Sequence, residues 1–114
     1  MSKDINVSTS REGDVAVINI TGDVTAVTGQ VVKDAYQNDN VSENPKILLA
    51  FDKECYINSG GLAFLIDIAS EARKKDQKMH ASGLSEHFQK IFHMIGLTRC
   101  MSIYDTADSA MEEF

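Results

Sequence analysis

Positive charge is scarce in this chain: 11 Lys and Arg stand against 17 Asp and Glu, a formal charge of −6. That balance argues against nucleic acid as the main partner, because a phosphate backbone calls for clustered cations. The densest basic run, Arg73-Lys74-Lys75, is followed at once by Asp76. It reads as a helix end whose cations complement the dipole and face solvent. Cysteine is nearly absent. Cys55 and Cys100 lack CxxC spacing and read as two free thiols in a reducing compartment, with the cytoplasm as default. No apolar run approaches the roughly 20 residues that span a bilayer. The start, Met1-Ser2-Lys3-Asp4-Ile5-Asn6, has no apolar core of the kind a secretory signal carries. GxxxxGK[ST] and GxGxxG are missing, so a nucleotide site has no support.

What is present is an ordinary globular composition, 43% apolar and 25% charged. At 114 residues it suits one domain, expected over 1–114, without linker, repeat or low-complexity segment. Ile5 to Thr9 predicts an edge strand, Arg11-Glu12-Gly13-Asp14 a turn, and the β-branched run Val15 to Thr21 a second strand closing a hairpin. After Gly22, Asp23 is a candidate N-cap for a helix carrying Val24, Val27, Val31 and Ala35. Asn38 to Pro45 reads as a polar loop, since the residue before the chain's single proline resists the helical region.

Ile47-Leu48-Leu49-Ala50-Phe51 lacks polar alternation and predicts a strand covered on both faces, as in a parallel sheet. A helix after Ser59 places Leu62, Leu65, Ile66, Ala69 and Ala72 on one stripe. Lys78 to Ala81 is a weakly signalled strand. Ser85 starts a helix with Phe88, Ile91, Phe92 and Ile95 inward and Gly96 at its C′ position. Cys100 to Tyr104 predicts a last strand, and Asp105 caps a final helix with Ala107, Ala110, Met111 and Phe114 in step. The resulting β-β-α-β-α-β-α-β-α order is an α/β layout: a mixed sheet of four to five strands with about four helices packed on it.

Cys55-Tyr56-Ile57-Asn58-Ser59-Gly60-Gly61-Leu62 carries the chemistry. A strand runs into a loop that presents a serine at a helix start, where the orphan amides and the dipole favour an anion. The loop leaves the C-terminal end of a central strand, where open α/β sheets place their sites. Ser59 reads either as a switch or, with Asn58, as a cap for those amides.

Five segments in register resemble the STAS domain family, which includes bacterial anti-sigma factor antagonists. They are Ile20-Thr21-Gly22-Asp23-Val24; the strand ending Phe51-Asp52; Tyr56 to Leu62, similar to an Asp-Ser-(Ser/Thr)-Gly-Leu signature; Phe88 to Leu97; and Tyr104-Asp105 with Ala107 and Ala110. Asn58 stands where that signature has Asp, and Gly60 where it has a second Ser or Thr. The resemblance implies an antagonist whose Ser59 is reversibly phosphorylated. Its partners would be an anti-sigma serine kinase of the GHKL type and a phosphatase, and its docking surface would hold Asp23, Tyr56, Asn58, Ser59, Gly60, Gly61 and Leu62. Gly60 and Gly61 would then let the kinase approach the hydroxyl. The alternative is a constitutive interaction subunit, a scaffold or transporter accessory, in which Ser59 only caps the helix.

Other chemistry is poorly served. His87 and His93 are six apart on one predicted helix and point to different faces, and His80 has no ligand-spaced neighbour, so no metal and no cofactor is expected. Asn58-Ser59-Gly60-Gly61 lacks GxSxG framing, so no catalytic residue and no enzyme is expected. Met79, Met94, Met101 and Met111 read as core filler and Cys55 as a buried thiol. Oligomeric state stays open, with a monomer favoured.

Overall fold

The computed structural model describes residues 4–114. Its main sheet has five strands: β1 (Asn6–Glu12), β2 (Val15–Thr21), β4 (Lys46–Phe51), β6 (Lys78–Ser82) and β7 (Ser102–Tyr104), in that spatial order. β1 runs antiparallel to β2, and every other neighbour pair is parallel. A second, two-stranded sheet joins β3 (Asp23–Val24) to β5 (Tyr56–Ile57). The helices are α1 (Gly29–Gln37), α2 (Asp39–Ser42), α3 (Ser59–Lys74), α4 (Glu86–Met94) and α5 (Ala107–Glu112), with a 3₁₀ turn at Leu97–Arg99.

The unbroken apolar run of β4 follows from its place in the middle. Ile47, Leu49 and Phe51 join one buried cluster with Ile18 of β2, Tyr36 of α1, Leu65 and Ile68 of α3 and Phe92 of α4. Leu48 points the other way, into a smaller cluster with Val15, Val17 and Ala110 of α5. Alternate residues of a strand face opposite sides, so a strand sandwiched between helices must be apolar at every step. Each fully buried side chain of this kind contributes roughly 1.5–3 kcal/mol.

The hairpin closes through Gly13, whose φ of +62° is the conformation a two-residue connection asks for at its first position. Gly96 ends α4 at φ +83°, as expected of a C′ glycine.

Several expected elements are placed differently. Asp23 is not an N-cap and Val24 is not helical: both lie in β3, α1 begins at Gly29, and Val24 is buried in the core. Pairing of Val24 with Ile57 overrides a helical spacing that β-branched residues supported only weakly. The expected polar loop contains α2, anchored by buried Val41. On α3 the buried stripe is Gly61, Leu65, Ile68, Ala69 and Ala72; Ile66 is exposed and Leu62 half-buried. Thr106, not Asp105, caps α5, its hydroxyl accepting the Ser109 N–H at 3.1 Å. Ile95 is exposed, and Met94 is not core filler but 81% exposed.

Candidate functional site

The site is built where β3, β5 and the start of α3 meet. Val24 and Ile57 pair in parallel, and the Asn58 N–H donates to the Val24 carbonyl at 3.1 Å. That bond fixes the chain direction into α3. Asn58 has the extended backbone of an N-cap, and its Oδ1 accepts the Gly61 N–H at 2.9 Å. The Leu62 N–H donates to the Asn58 carbonyl at 2.9 Å and starts the helical ladder. Of the four orphan amides at this end, those of Asn58 and Gly61 are thus satisfied. The Ser59 and Gly60 N–H groups are given no acceptor among the described residues.

Ser59 is therefore the first helical residue, not the cap. It is exposed, and its hydroxyl has no hydrogen-bond partner among the described residues. A hydroxyl stands in solvent beside two free backbone donors, at the positive end of a 16-residue helix.

The two glycines serve packing. A Cβ on Gly61 would strike the carbonyl of Val24, and one on Gly60 would lie 2.6 Å from the Ala26 Cβ and 2.8 Å from its backbone nitrogen. The backbone of residues 24–26 thus runs directly over the first turn of α3. Access for a second protein is not what these positions require; close approach of two chain segments is.

Residues 25–28 are the part of this face that sequence reasoning missed. Thr28 Oγ1 donates to the Asp23 carbonyl at 2.6 Å, and the Thr25 and Thr28 N–H groups donate to each other's hydroxyl at 2.8 and 3.2 Å. These side-chain bonds replace helical ones and hold a compact turn. Val27, on that turn, is 83% exposed. The Thr25-x-x-Thr28 spacing was the available signal. Behind it, α1 and α3 meet where Gly29 leaves room for the Phe64 ring, and Lys33 pairs with Asp67 at 3.9 Å.

The fold brings the expected residues together. Asp23 and Tyr56 are register partners. Tyr56 is half-exposed and sets its ring edge against Phe88, centroids 5.9 Å apart. Leu62 differs from the rest, packing against the main core from its half-buried position. Cys55 is buried beneath this face, and burial, reinforced by Asp23 and Asp52, pushes its thiol up to about 12.

His80 is buried on the opposite face of the sheet; its Nδ1–H donates to the Ala110 carbonyl at 2.8 Å, and its ring stacks on Phe114 at 3.8 Å. His87 and His93 are exposed on α4. Among the described residues no three His, Cys, Asp or Glu side chains stand close enough to share a metal. No helix there is long and apolar enough to cross a membrane.

This architecture, a mixed sheet with an exposed serine opening the helix that follows its central strand, defines the class. A family model described as "Mlab, STAS domain" matches residues 7–104, and the chain belongs to that family. Relatives and structural neighbours carry one theme. An anti-sigma-B factor antagonist of Listeria monocytogenes is 25% identical over 93 residues, 82% of each chain. The crystal structure of an anti-sigma factor antagonist from Mycobacterium paratuberculosis superposes with a TM-score of 0.81 at 18% identity, covering 96% of this chain and 93% of that one. SpoIIAA of Bacillus in its phosphorylated form gives 0.68 at 14% identity, over 95% and 98%. At these identities the superpositions establish the fold.

Proposed function

We propose that this chain is a cytoplasmic anti-sigma factor antagonist, a binding regulator without catalysis of its own. It captures an anti-sigma serine kinase of the GHKL type and is released when that kinase phosphorylates Ser59; a phosphatase restores it. One observation carries the reading: the helix cap is already filled by Asn58, so the Ser59 hydroxyl is exposed and uncommitted. The names of the similar proteins, anti-sigma-B factor antagonists and a SpoIIAA solved in phosphorylated form, support it.

The chemistry follows from the geometry. A phosphoryl group adds about −1.5 to −2 charges and three acceptor oxygens. The free N–H groups of Ser59 and Gly60 and the dipole of α3 favour that charge where it forms, so modification leaves the domain folded. The same charge would fall on the face formed by β3, β5 and the start of α3, where Tyr56 and Val27 are exposed side chains that a docked partner would cover. The cost of modification therefore falls on the complex rather than on the fold. Asp23, Tyr56, Asn58, Gly60, Gly61 and Leu62 build or border this surface, with Leu62 supporting it from beneath.

The deciding experiment is incubation with candidate GHKL-type kinases and ATP, followed by phosphosite mapping of wild type and Ser59→Ala. Label on Ser59, lost in the variant, is expected. A second reading, a constitutive scaffold or transporter accessory, is favoured by Gly60, which removes the signature's second hydroxyl and seats Ala26 in its place. Under it a partner binds equally well to wild type and to Ser59→Asp, and no kinase labels the site.

A further inference from the structure

We infer that β1 is a self-pairing edge: two copies of this chain join antiparallel through the free backbone groups of Val7, Thr9 and Arg11. The inference concerns a different surface from Ser59 and does not rest on the switching proposal.

The argument begins with register. Among the described residues β1 pairs only with β2, from Asn6↔Thr21 to Glu12↔Val15. The Ile20 carbonyl accepts the Asp52 N–H at 3.1 Å, so Ile20 directs its backbone toward β4. Successive strand residues direct their backbone groups to opposite sides, so Val15, Val17, Asn19 and Thr21 face β1. Their partners Glu12, Ser10, Ser8 and Asn6 are therefore the residues of β1 bonded inward. Val7, Thr9 and Arg11 direct N–H and C=O outward, along a seven-residue edge with no proline and no lysine. The opposite edge of the sheet, β7, is three residues long. Proteins usually shorten, charge or cover an edge that they keep unpaired; β7 is short, whereas β1 is long and carries charge only at its end, at Arg11 and Glu12.

The edge can pair with a copy of itself without charge conflict. With Thr9 opposite Thr9, Val7 meets Arg11, Ser8 meets Ser10 and Asn6 meets Glu12, and no like charges face each other. The three outward residues of each copy then form about six hydrogen bonds, two in the Thr9 pair and two in each Val7–Arg11 pair. Centring on Arg11 instead would oppose two guanidinium groups. Thr9 and Arg11 are exposed and Val7 half-buried, so neither long apolar side chains nor a large area reinforces the seam. The expected dimer is weak, with a Kd on the order of 0.1–1 mM.

Sedimentation velocity and residue-resolved hydrogen exchange test this from about 10 μM to 1 mM. Dimer should grow with concentration, and the amides of Val7, Thr9 and Arg11 should gain protection while those of Ser8, Ser10 and Glu12 do not change. Thr9→Glu and Thr9→Lys each place like charges across the two-fold axis and should raise Kd about fivefold or more; mixing the two variants should restore pairing. A monomer throughout the range overturns the inference, as does a dimer indifferent to both substitutions. Protection of the three amides that appears only with a different protein present also overturns it. Should a variant fail to fold, the exchange pattern of the wild type decides alone.

Discussion

Asn58 accepts the Gly61 amide through its side chain at 2.9 Å, and Ser59 between them caps nothing. Two adjacent residues that each had the chemistry for capping thus divide the work. Asn58→Ala should lower stability by about 1 kcal/mol, a fall in Tm of roughly 4 °C for a domain of this size, whereas Ser59→Ala should stay within about 0.5 kcal/mol. Thermal unfolding of both variants checks the division; a larger loss at position 59 would reverse the assignment.

Ser59→Asp places a carboxylate in the first turn of α3, which the helix dipole tolerates. Under the switching proposal, thermal stability should be nearly unchanged while affinity for an anti-sigma serine kinase falls. Calorimetric titration beside thermal unfolding separates these effects. Under the same proposal, Ser59→Ala should still bind the kinase yet escape inactivation when kinase and ATP are both present.

Ala26 and Gly60 should behave as a coupled pair. Gly60→Ala forces a Cβ to within 2.6 Å of Ala26 and should destabilise by about 1–3 kcal/mol. Ala26→Gly removes one of the colliding atoms and should relieve part of that loss, although the Ala26 backbone nitrogen, at 2.8 Å, remains. A double-mutant cycle in denaturant measures the coupling; additive losses would mean that the two segments move apart freely.

Alkaline pH should destabilise the fold through two buried acids. Burial, reinforced by charge at Asp23 and Asp52, pushes the Cys55 thiol from about 9 up to about 12. Burial, reinforced by Glu71, likewise raises the Tyr36 phenol from 10 to about 12, and that hydroxyl donates to Gln77 Oε1 at 2.6 Å. Both groups are more acidic in the unfolded chain, so their stabilisation is complete below about pH 9 and is lost as pH rises from about 9 toward 12. Denaturant midpoints should stay flat from neutral pH to about 8.5 and then fall, and Cys55→Ala should remove the thiol's share. At neutral pH a thiol reagent should modify half-buried Cys100 in the native protein and buried Cys55 only after unfolding.

Much of this was legible in advance where one local signal was strong. The β-branched run Val15–Thr21 is β2 to the residue, and Ser85 caps α4 by accepting the Phe88 N–H. The apolar run of β4 already implied helices on both faces of the sheet. Weak signals misled where distant partners decided. Val24 and Val27, three apart, looked like one helical face, yet one is in the core and the other in solvent. Met94 fits an apolar pattern but falls on the solvent side of α4, whose buried residues are Phe88 and Phe92. Tyr36 is fully buried with no strand-like or motif signal of its own, because Gln77, 41 residues on, supplies its hydrogen bond.

Sequence alone determined the α/β layout and the serine at the start of the helix after the central strand, since periodicity and turn chemistry act over a few neighbouring residues. Tertiary structure decided which of Asn58 and Ser59 is the cap, why glycine stands at 60 and 61, and which valines face water. Those outcomes depend on Val24–Ala26 lying across the first turn of α3, a contact between segments more than 30 residues apart that no local preference encodes.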